Sequence, residues 1–288
     1  MNLPEEKHRI FRVVWRGVNL LLAAVVVSSL YAGAREYSVR QYLRGFSDAV
    51  VPESAAAEQK VEAILAWMKS GPSRYLAPHS FGLSARDPEA TLNYKQLLAV
   101  CGTATNAFLN LARSGGLRVR RLLLLTPDNN TKHVVAEVLI GGRWIIVDPT
   151  YRVMLRDERG QLLTREELRN PAVFSEAISA VPGYLPEYNF DHFAHVRLAR
   201  LPYQGFGFRR ILDSALPGWD EAVDWSLLLE RESFLMLVVS IGLTVFFLLL
   251  RGVLAWYADC RLRIPRFHLR EHALRAGVAF FSTPGIKQ

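Results

Sequence analysis

Three residues in the sequence have side chains that can act together on a carbonyl group: Cys101, His133 and Asp148, in that order. Cys101 stands at the predicted start of a helix, where the helix dipole and free N–H groups stabilise a thiolate. A histidine beside such a thiol acts as base and then as acid, and a carboxylate holds its imidazole in the useful tautomer. Taken singly, the same residues are typical of a buried cysteine, a surface histidine and an Asp-Pro turn. Their combination predicts a nucleophilic cysteine enzyme.

The stretch between the histidine and the aspartate predicts how these two side chains meet. Gly141-Gly142 separates two apolar, strand-like runs and is typical of a two-residue hairpin loop. In such a hairpin Val135 lies opposite Asp148, which makes His133 and Asp148 diagonal neighbours on one face of the sheet. Diagonal neighbours are about 7–8 Å apart at the backbone, within reach of long side chains.

The surrounding pattern indicates which elements position these residues. Apolar residues recur with helical spacing before and after Cys101, and Gly115-Gly116 ends the second helix. Pro52 and a run of alanines indicate a connector before the first helix, whereas the later part of the chain has no clear pattern. We predict helices at 58–69, 101–113 and 164–168, strands at 119–125, 134–140 and 143–147, a connector at 35–56 and an unassigned stretch at 182–219.

The same stretch resembles a known family. The segment from about residue 57 to 155 is similar to the transglutaminase-like domain of the papain-like cysteine enzyme superfamily, in its membrane-anchored bacterial form. The most specific part of the match runs from His133 to Asp148-Pro149-Thr150. The other matching residues are Cys101 at a helix start, Phe108 to Arg113, Gly115-Gly116-Leu117, Arg120, Glu137 and Gly141 to Trp144.

The resemblance implies a fold and a set of roles. The implied fold class is α+β, with the helix that carries Cys101 packed on an antiparallel sheet. The implied catalytic triad is Cys101, His133 and Asp148, and no cofactor is implied. Papain-like enzymes often use an upstream glutamine as an oxyanion donor, which makes Gln96 a candidate beside the backbone N–H of Cys101. The alternative for Gln96 is a polar surface residue.

Two apolar runs flank the domain. Gly17–Ala34 and Ser233–Leu250 each contain 18 uncharged residues, and about 17–25 apolar residues span a bilayer as a helix. We predict transmembrane helices at 17–34 and 233–258. For the first run the alternative is a cleaved secretory signal, because a basic segment precedes it and Ala32-Gly33-Ala34 ends it.

Charge sets the predicted orientation. The net charge is +8, and residues 251–288 carry seven Lys and Arg against two acidic residues. The positive-inside rule then places residues 1–16 and the basic tail 259–288 in the cytoplasm, and residues 35–232 outside it. We divide that outer domain into a core, 57–155, and an extension, 156–232. The basic excess lies in the flanks, so nucleic-acid binding is not expected.

This arrangement limits covalent and metal sites. Cys101 and Cys260 fall on opposite sides of the predicted membrane and cannot pair within one chain. Asp191-His192 and His195 form a D-H-x-x-H cluster, and a further histidine pair lies in the tail at 268 and 272. Neither set has the ligands of a zinc site, so we predict no metal and interpret these residues as structural. The tail is expected to contact membrane lipid headgroups.

Three functions compete at this stage. The first is a hydrolase or acyltransferase acting on an envelope protein, peptide or polysaccharide. The second is a non-catalytic, membrane-tethered binding or assembly module of the same fold, and the third is an accessory role in envelope polymer assembly. For the third, an aromatic stretch is a candidate carbohydrate groove, although a packing segment explains it as well. Its aromatic residues are Tyr184, Tyr188, Tyr203 and Trp219.

Overall fold

A computed structural model describes residues 3–70, 92, 100–196, 211, 214–222 and 224–262. Within these ranges the chain has the predicted α+β architecture, with eight α-helices and one five-stranded sheet. The helices are α1 (Leu3–Val50), α2 (Ala57–Ser70), α3 (Cys101–Ser114), α4 (Arg165–Leu168), α5 (Pro171–Ser179), α6 (Trp219–Ala222), α7 (Trp225–Glu230) and α8 (Glu232–Tyr257), and a π-helical turn, Ala258–Leu262, follows α8. The strands are β1 (Val119–Leu125), β2 (Thr131–Ile140), β3 (Arg143–Asp148), β4 (Val153–Met154) and β5 (Phe193–Ala194).

The sheet is antiparallel throughout, in the order β4-β3-β2-β1-β5. Its central hairpin turns at Gly141 and Gly142, whose φ angles of 56° and 80° need residues that tolerate the left-handed region. Ile140 pairs with Arg143, and the pairing of β2 with β3 continues without a register shift as far as Ala136 and Val147. The predicted two-residue loop and its register are therefore confirmed.

Both faces of the sheet are buried. On one face α3 packs through Phe108 and Leu111 against Ala136 and Val138 of β2, and α2 joins the same core. The opposite face packs against the chain that follows β3, and its core includes Leu122, Val135, Ile146, Phe174 and Phe190. Two-sided burial explains why the last four residues of β1 are all leucine instead of alternating with polar residues.

Helix α1 differs from the sequence-based interpretation. The predicted connector at 35–56 is wrong for residues 35–50, which continue the helix without a break as far as Val50. Val39, Leu43 and Phe46 recur with helical spacing and join the core of the domain. Charged residues lie between these apolar residues, so the segment does not stand out as apolar in the sequence. Pro52 lies just beyond the end of the helix.

The chain divides into two compact units. Residues 31–238 form one, and the chain before residue 31 with the chain after residue 238 forms the other. Two helical stretches, Arg9–Val50 and Glu232–Leu262, are long and apolar enough to cross a membrane. In the unit formed by the chain before residue 31 and after residue 238, the hydroxyl groups of Ser29 in α1 and Thr244 in α8 form a hydrogen bond of 3.0 Å.

Within residues 31–238, a buried carboxylate connects three helices. Glu36 of α1 is 2% exposed and accepts hydrogen bonds from Arg40 at 2.7 Å, Arg231 at 3.1 Å and Ser233 at 2.7 Å. Arg231 also donates to Asn110 of α3 at 3.4 Å. The part of α1 that follows the first apolar run is thereby tied to the start of α8 and to the helix that begins at Cys101.

We expect Glu36→Gln to destabilise the domain by about 3–5 kcal/mol, because it leaves the buried Arg231 without its counter-charge. The double variant Glu36→Gln, Arg231→Met should recover part of that loss, since it removes both charges. The measurement is the free energy of unfolding in detergent, followed by tryptophan fluorescence. Arg44→Gln, at an exposed position of α1 that contributes no donor to Glu36, is the control and should change it by less than about 0.5 kcal/mol. Equal losses in all single variants would contradict a shared network.

Candidate active site

Neighbouring strands bring His133 and Asp148 into direct contact. His133 Nε2 lies 2.7 Å from Asp148 Oδ2, and the two residues are 1% and 0% exposed. The other carboxylate oxygen, Oδ1, accepts backbone N–H groups of Thr150 at 2.9 Å and Tyr151 at 3.3 Å. The turn after β3 therefore holds the carboxylate from one side while the imidazole holds it from the other.

Cys101 meets the opposite edge of the same imidazole. It is the first residue of α3, and its side chain is within hydrogen-bonding reach of His133. Because Nε2 is committed to Asp148, Nδ1 is the ring nitrogen left available to the thiol. The three predicted site residues therefore form one continuous chain of contacts, and Nδ1 is placed to exchange a proton with sulfur.

Two threonines fix the start of the cysteine helix. Thr105 is fully buried one turn after Cys101, and its hydroxyl donates to the carbonyl of Val134 at 3.0 Å. The hydroxyl of Thr103 donates to the carbonyl of Val100 and accepts its N–H group. The first of these contacts ties the helix to the residue that follows His133 in β2. Sequence reasoning missed both threonines, because a threonine within a helix is ordinarily only a neutral or weak helix former.

The surroundings favour the charged form of the imidazole. Burial by itself lowers the pKa of His133, but hydrogen bonds and charges from Asp148 and Cys101 outweigh it and raise the pKa from 6.5 to about 9. At neutral pH His133 is therefore an imidazolium between two acidic partners. A protonated imidazole in this position can give a proton to a leaving group beside Cys101.

Three tyrosines surround the His133 ring. Tyr188 stacks on it with the ring centroids 4.1 Å apart and the planes within 5°, whereas Tyr151 and Tyr184 approach edge-on at 6.1 and 6.5 Å. Burial, followed by the charge of Asp148, raises the pKa of the Tyr184 hydroxyl, so this group stays protonated. Tyr184 and Tyr188 belong to the aromatic stretch considered above as a carbohydrate groove, and here they pack around the histidine.

The remainder of that stretch does not join them. Trp219 is buried and contacts Trp225 edge to face at 5.2 Å. Tyr203 lies outside the described residues, as do Gln96 and the histidines at 268 and 272. No sequence signal distinguishes Tyr188 from its neighbours, because its position depends on how the chain returns across the sheet after α5.

One residue of the D-H-x-x-H cluster, His195, contacts a buried carboxylate. His195 Nε2 lies 2.7 Å from Glu137 Oε2, which also accepts Arg120 Nε at 2.5 Å, and all three residues are buried. Burial would raise the pKa of Glu137, but hydrogen bonds from His195 and Arg120 with the charge of Arg120 lower it overall. Within the described part of the chain, no group of three or more His, Cys, Asp or Glu side chains could hold a metal ion.

We expect His133 to titrate with a midpoint near pH 9, and Asp148→Asn to lower that midpoint, because burial is then opposed only by the contacts with Cys101. The measurement is the pH dependence of deuterium exchange at the imidazole C2 position, read by mass spectrometry. Since folding raises this pKa, the associated stability is complete below pH 6.5 and is lost as the pH rises through about 9.

The matched control is Asp128→Asn, which changes an exposed aspartate in the turn before β2. It should leave the His133 midpoint unchanged. A midpoint near 6.5 in the unsubstituted protein would contradict the described contacts of the imidazole.

Comparison with known proteins gives one match. Neither a search of curated proteins nor a search of solved structures found a significant match to this chain. Residues 44–149 match the family model of the transglutaminase-like superfamily. The matched range begins in the last turns of α1, within the stretch that sequence reasoning had assigned to a connector, and ends just after Asp148. The chain therefore contains a domain of the transglutaminase-like superfamily, as the sequence resemblance implied.

Proposed function

We propose that this chain is a membrane-anchored cysteine enzyme that acts through a thioester acyl-enzyme on an amide or ester of the cell envelope. One observation carries the proposal: the buried hydrogen bond between His133 and Asp148 stands beside the thiol of Cys101. Membership of the transglutaminase-like superfamily supports it, since many domains of that superfamily are cysteine enzymes.

In the first half-reaction the Cys101 thiolate attacks the substrate carbonyl carbon and forms a carbon–sulfur bond. The carbonyl π electrons move to oxygen, and the backbone N–H of Cys101 is a donor for the resulting oxyanion, because the first N–H groups of a helix have no partner within it. The intermediate then breaks its bond to nitrogen or oxygen. His133 gives its Nδ1 proton to the leaving amine or alcohol, and a thioester remains on Cys101.

In the second half-reaction water or an amine attacks the thioester. Nδ1 of His133, now neutral, takes a proton from the attacking group, and the sulfur leaves as the thiolate. The result is hydrolysis with water and acyl transfer with an amine. Both outcomes regenerate the thiolate–imidazolium pair. The role of Asp148 is the same in each half, because its hydrogen bond keeps the proton on Nε2 and stabilises the imidazolium.

The membrane placement in this proposal rests on the two long apolar helices and on the distribution of charge. Both termini are proposed to face the cytoplasm and the domain to face the envelope. The substrate is then a component of that compartment, such as a protein, peptide or polysaccharide that carries an amide or ester.

We expect Cys101→Ala to abolish acyl-enzyme formation and His133→Ala to slow it by about 10²–10⁴-fold, because the latter removes the base and the acid. Asp148→Asn should slow the reaction no more than His133→Ala does, and the double variant of both should resemble His133→Ala alone. The measurement is the rate at which a thiol-directed activity probe labels the membrane protein, at matched expression.

Matched controls test whether the effect belongs to the site. Cys260→Ala and His192→Ala change an exposed cysteine and an exposed histidine, and labelling should be unaffected in both. Labelling that persists in Cys101→Ala but disappears in Cys260→Ala would refute the proposal. Full biological complementation by Cys101→Ala would favour the non-catalytic module of the same fold.

The proposed orientation gives a separate expectation. A reporter that is active only outside the cytoplasm should be active when fused after Gly160, in an exposed turn of the domain, and silent when fused after Gln288. A reporter that is active only in the cytoplasm should give the reverse pattern at the same two positions. Cytoplasmic activity at Gly160 would refute the envelope location while leaving the chemistry of the site intact.

A further inference from the structure

Tyr188 has a contact with His133 that the proposed reaction does not yet use. The two rings are parallel within 5° and their centroids are 4.1 Å apart, which is face-to-face contact over the imidazole. Among the described aromatic rings beside His133, the other two tyrosines meet it edge-on and at greater distance. One flat face of the imidazole is thus covered by a single side chain that is itself half-buried.

The segment that carries Tyr188 is held on both sides of it. The N–H of Tyr188 donates to the carbonyl of Leu185 at 3.0 Å, which closes a turn before it. After it, Asn189 Oδ1 accepts a hydrogen bond of 2.5 Å from the ammonium group of Lys132, and Phe190 is fully buried. Lys132 and His133 are consecutive in β2. They contact Asn189 and Tyr188, which are consecutive in this segment. The stack is fixed by the neighbours of Tyr188 as well as by its own ring.

The charges around the stack favour the protonated imidazole. His133 faces the carboxylate of Asp148, the thiol of Cys101 and the rings of the three tyrosines. Burial, then the charges of Cys101, Glu187 and Asp148, raise the pKa of the Tyr188 hydroxyl, so the phenol ring stays uncharged. A cation over the face of a neutral aromatic ring is stabilised, whereas a neutral imidazole gains less.

We propose that Tyr188 is a positioning residue that holds the protonated His133 imidazole by stacking on its face. The stack opposes rotation of the imidazole about its Cβ–Cγ bond. It thereby keeps Nδ1 towards Cys101 and Nε2 towards Asp148 while the proton moves. The consequence for rate rests on the proposed function, but the stack and its effect on the histidine do not.

The test uses one variant that removes only the hydroxyl group of Tyr188 and another that replaces its aromatic ring with an apolar side chain. Tyr188→Phe keeps the aromatic face, and Tyr188→Leu keeps an apolar side chain without it. Tyr37→Leu, at a tyrosine of α1 that is 65% exposed, is the matched control. For each protein, the His133 midpoint is measured by imidazole C2 deuterium exchange and the Cys101 labelling rate with iodoacetamide, in the full chain in detergent.

We expect Tyr188→Leu to lower the His133 midpoint by about one pH unit, a tenfold shift in its protonation equilibrium, and to slow Cys101 labelling at neutral pH. Tyr188→Phe and Tyr37→Leu should leave both quantities near those of the unsubstituted protein. The direction is informative, because a side chain that only buries the histidine would raise the midpoint when removed.

An unchanged or raised midpoint in Tyr188→Leu would overturn the proposal, as would a Tyr188→Phe variant that behaves like Tyr188→Leu. If Tyr188→Leu does not fold, Asn189→Ala serves in its place: it frees the segment from Lys132 and should lower the midpoint in the same direction, and an unchanged midpoint there overturns the proposal. The midpoint is independent of turnover. A protein that never forms an acyl-enzyme but shows this shift would refute the proposed function and leave the role of Tyr188 standing.

Discussion

The site depends on one buried hydrogen bond, between His133 Nε2 and Asp148 Oδ2. A carboxylate without exposure to water is costly unless it is paired and hydrogen-bonded, and here two backbone N–H groups from the following turn bind its other oxygen. The bond requires that β2 and β3 keep one register, because a slip of a single residue would send one of the two side chains to the other face. The Gly141-Gly142 turn, the pairing of β2 with β3 and the Asp-Pro-Thr turn are therefore all needed to keep His133 and Asp148 in contact.

The features that local rules determine could be predicted from the sequence. Gly141-Gly142 selects a two-residue loop, and that loop alone determines which residues face each other in β2 and β3. The helix that starts at Cys101 has an apolar stripe and a glycine stop, so its bounds agree with the prediction to within one residue. The contact between His133 and Asp148 could be anticipated because it lies within a single hairpin, where few degrees of freedom intervene.

The features that the sequence did not reveal depend on contacts between distant parts of the chain. Residues 35–50 of α1 carry five charged residues among their apolar ones, and they are helical because Val39 and Leu43 pack against the domain core. Tyr188 reaches His133 only because the chain returns across the sheet between α5 and β5. Glu137 and His195 are 58 residues apart and meet because β5 pairs with β1. Local propensity carries no information about such encounters.

The burial of the site limits where its reactants can approach. His133 and Asp148 are almost completely buried, with a tyrosine stacked on the imidazole, whereas Cys101 is only partly buried. In the proposed reaction, an acyl donor and an acceptor must therefore both arrive on the side of the sulfur and of Nδ1. The His133–Asp148 pair is the same for water and for an amine, so it does not select between hydrolysis and transfer. In the proposed reaction, that choice belongs to the groups around Cys101 that admit or exclude water from the thioester.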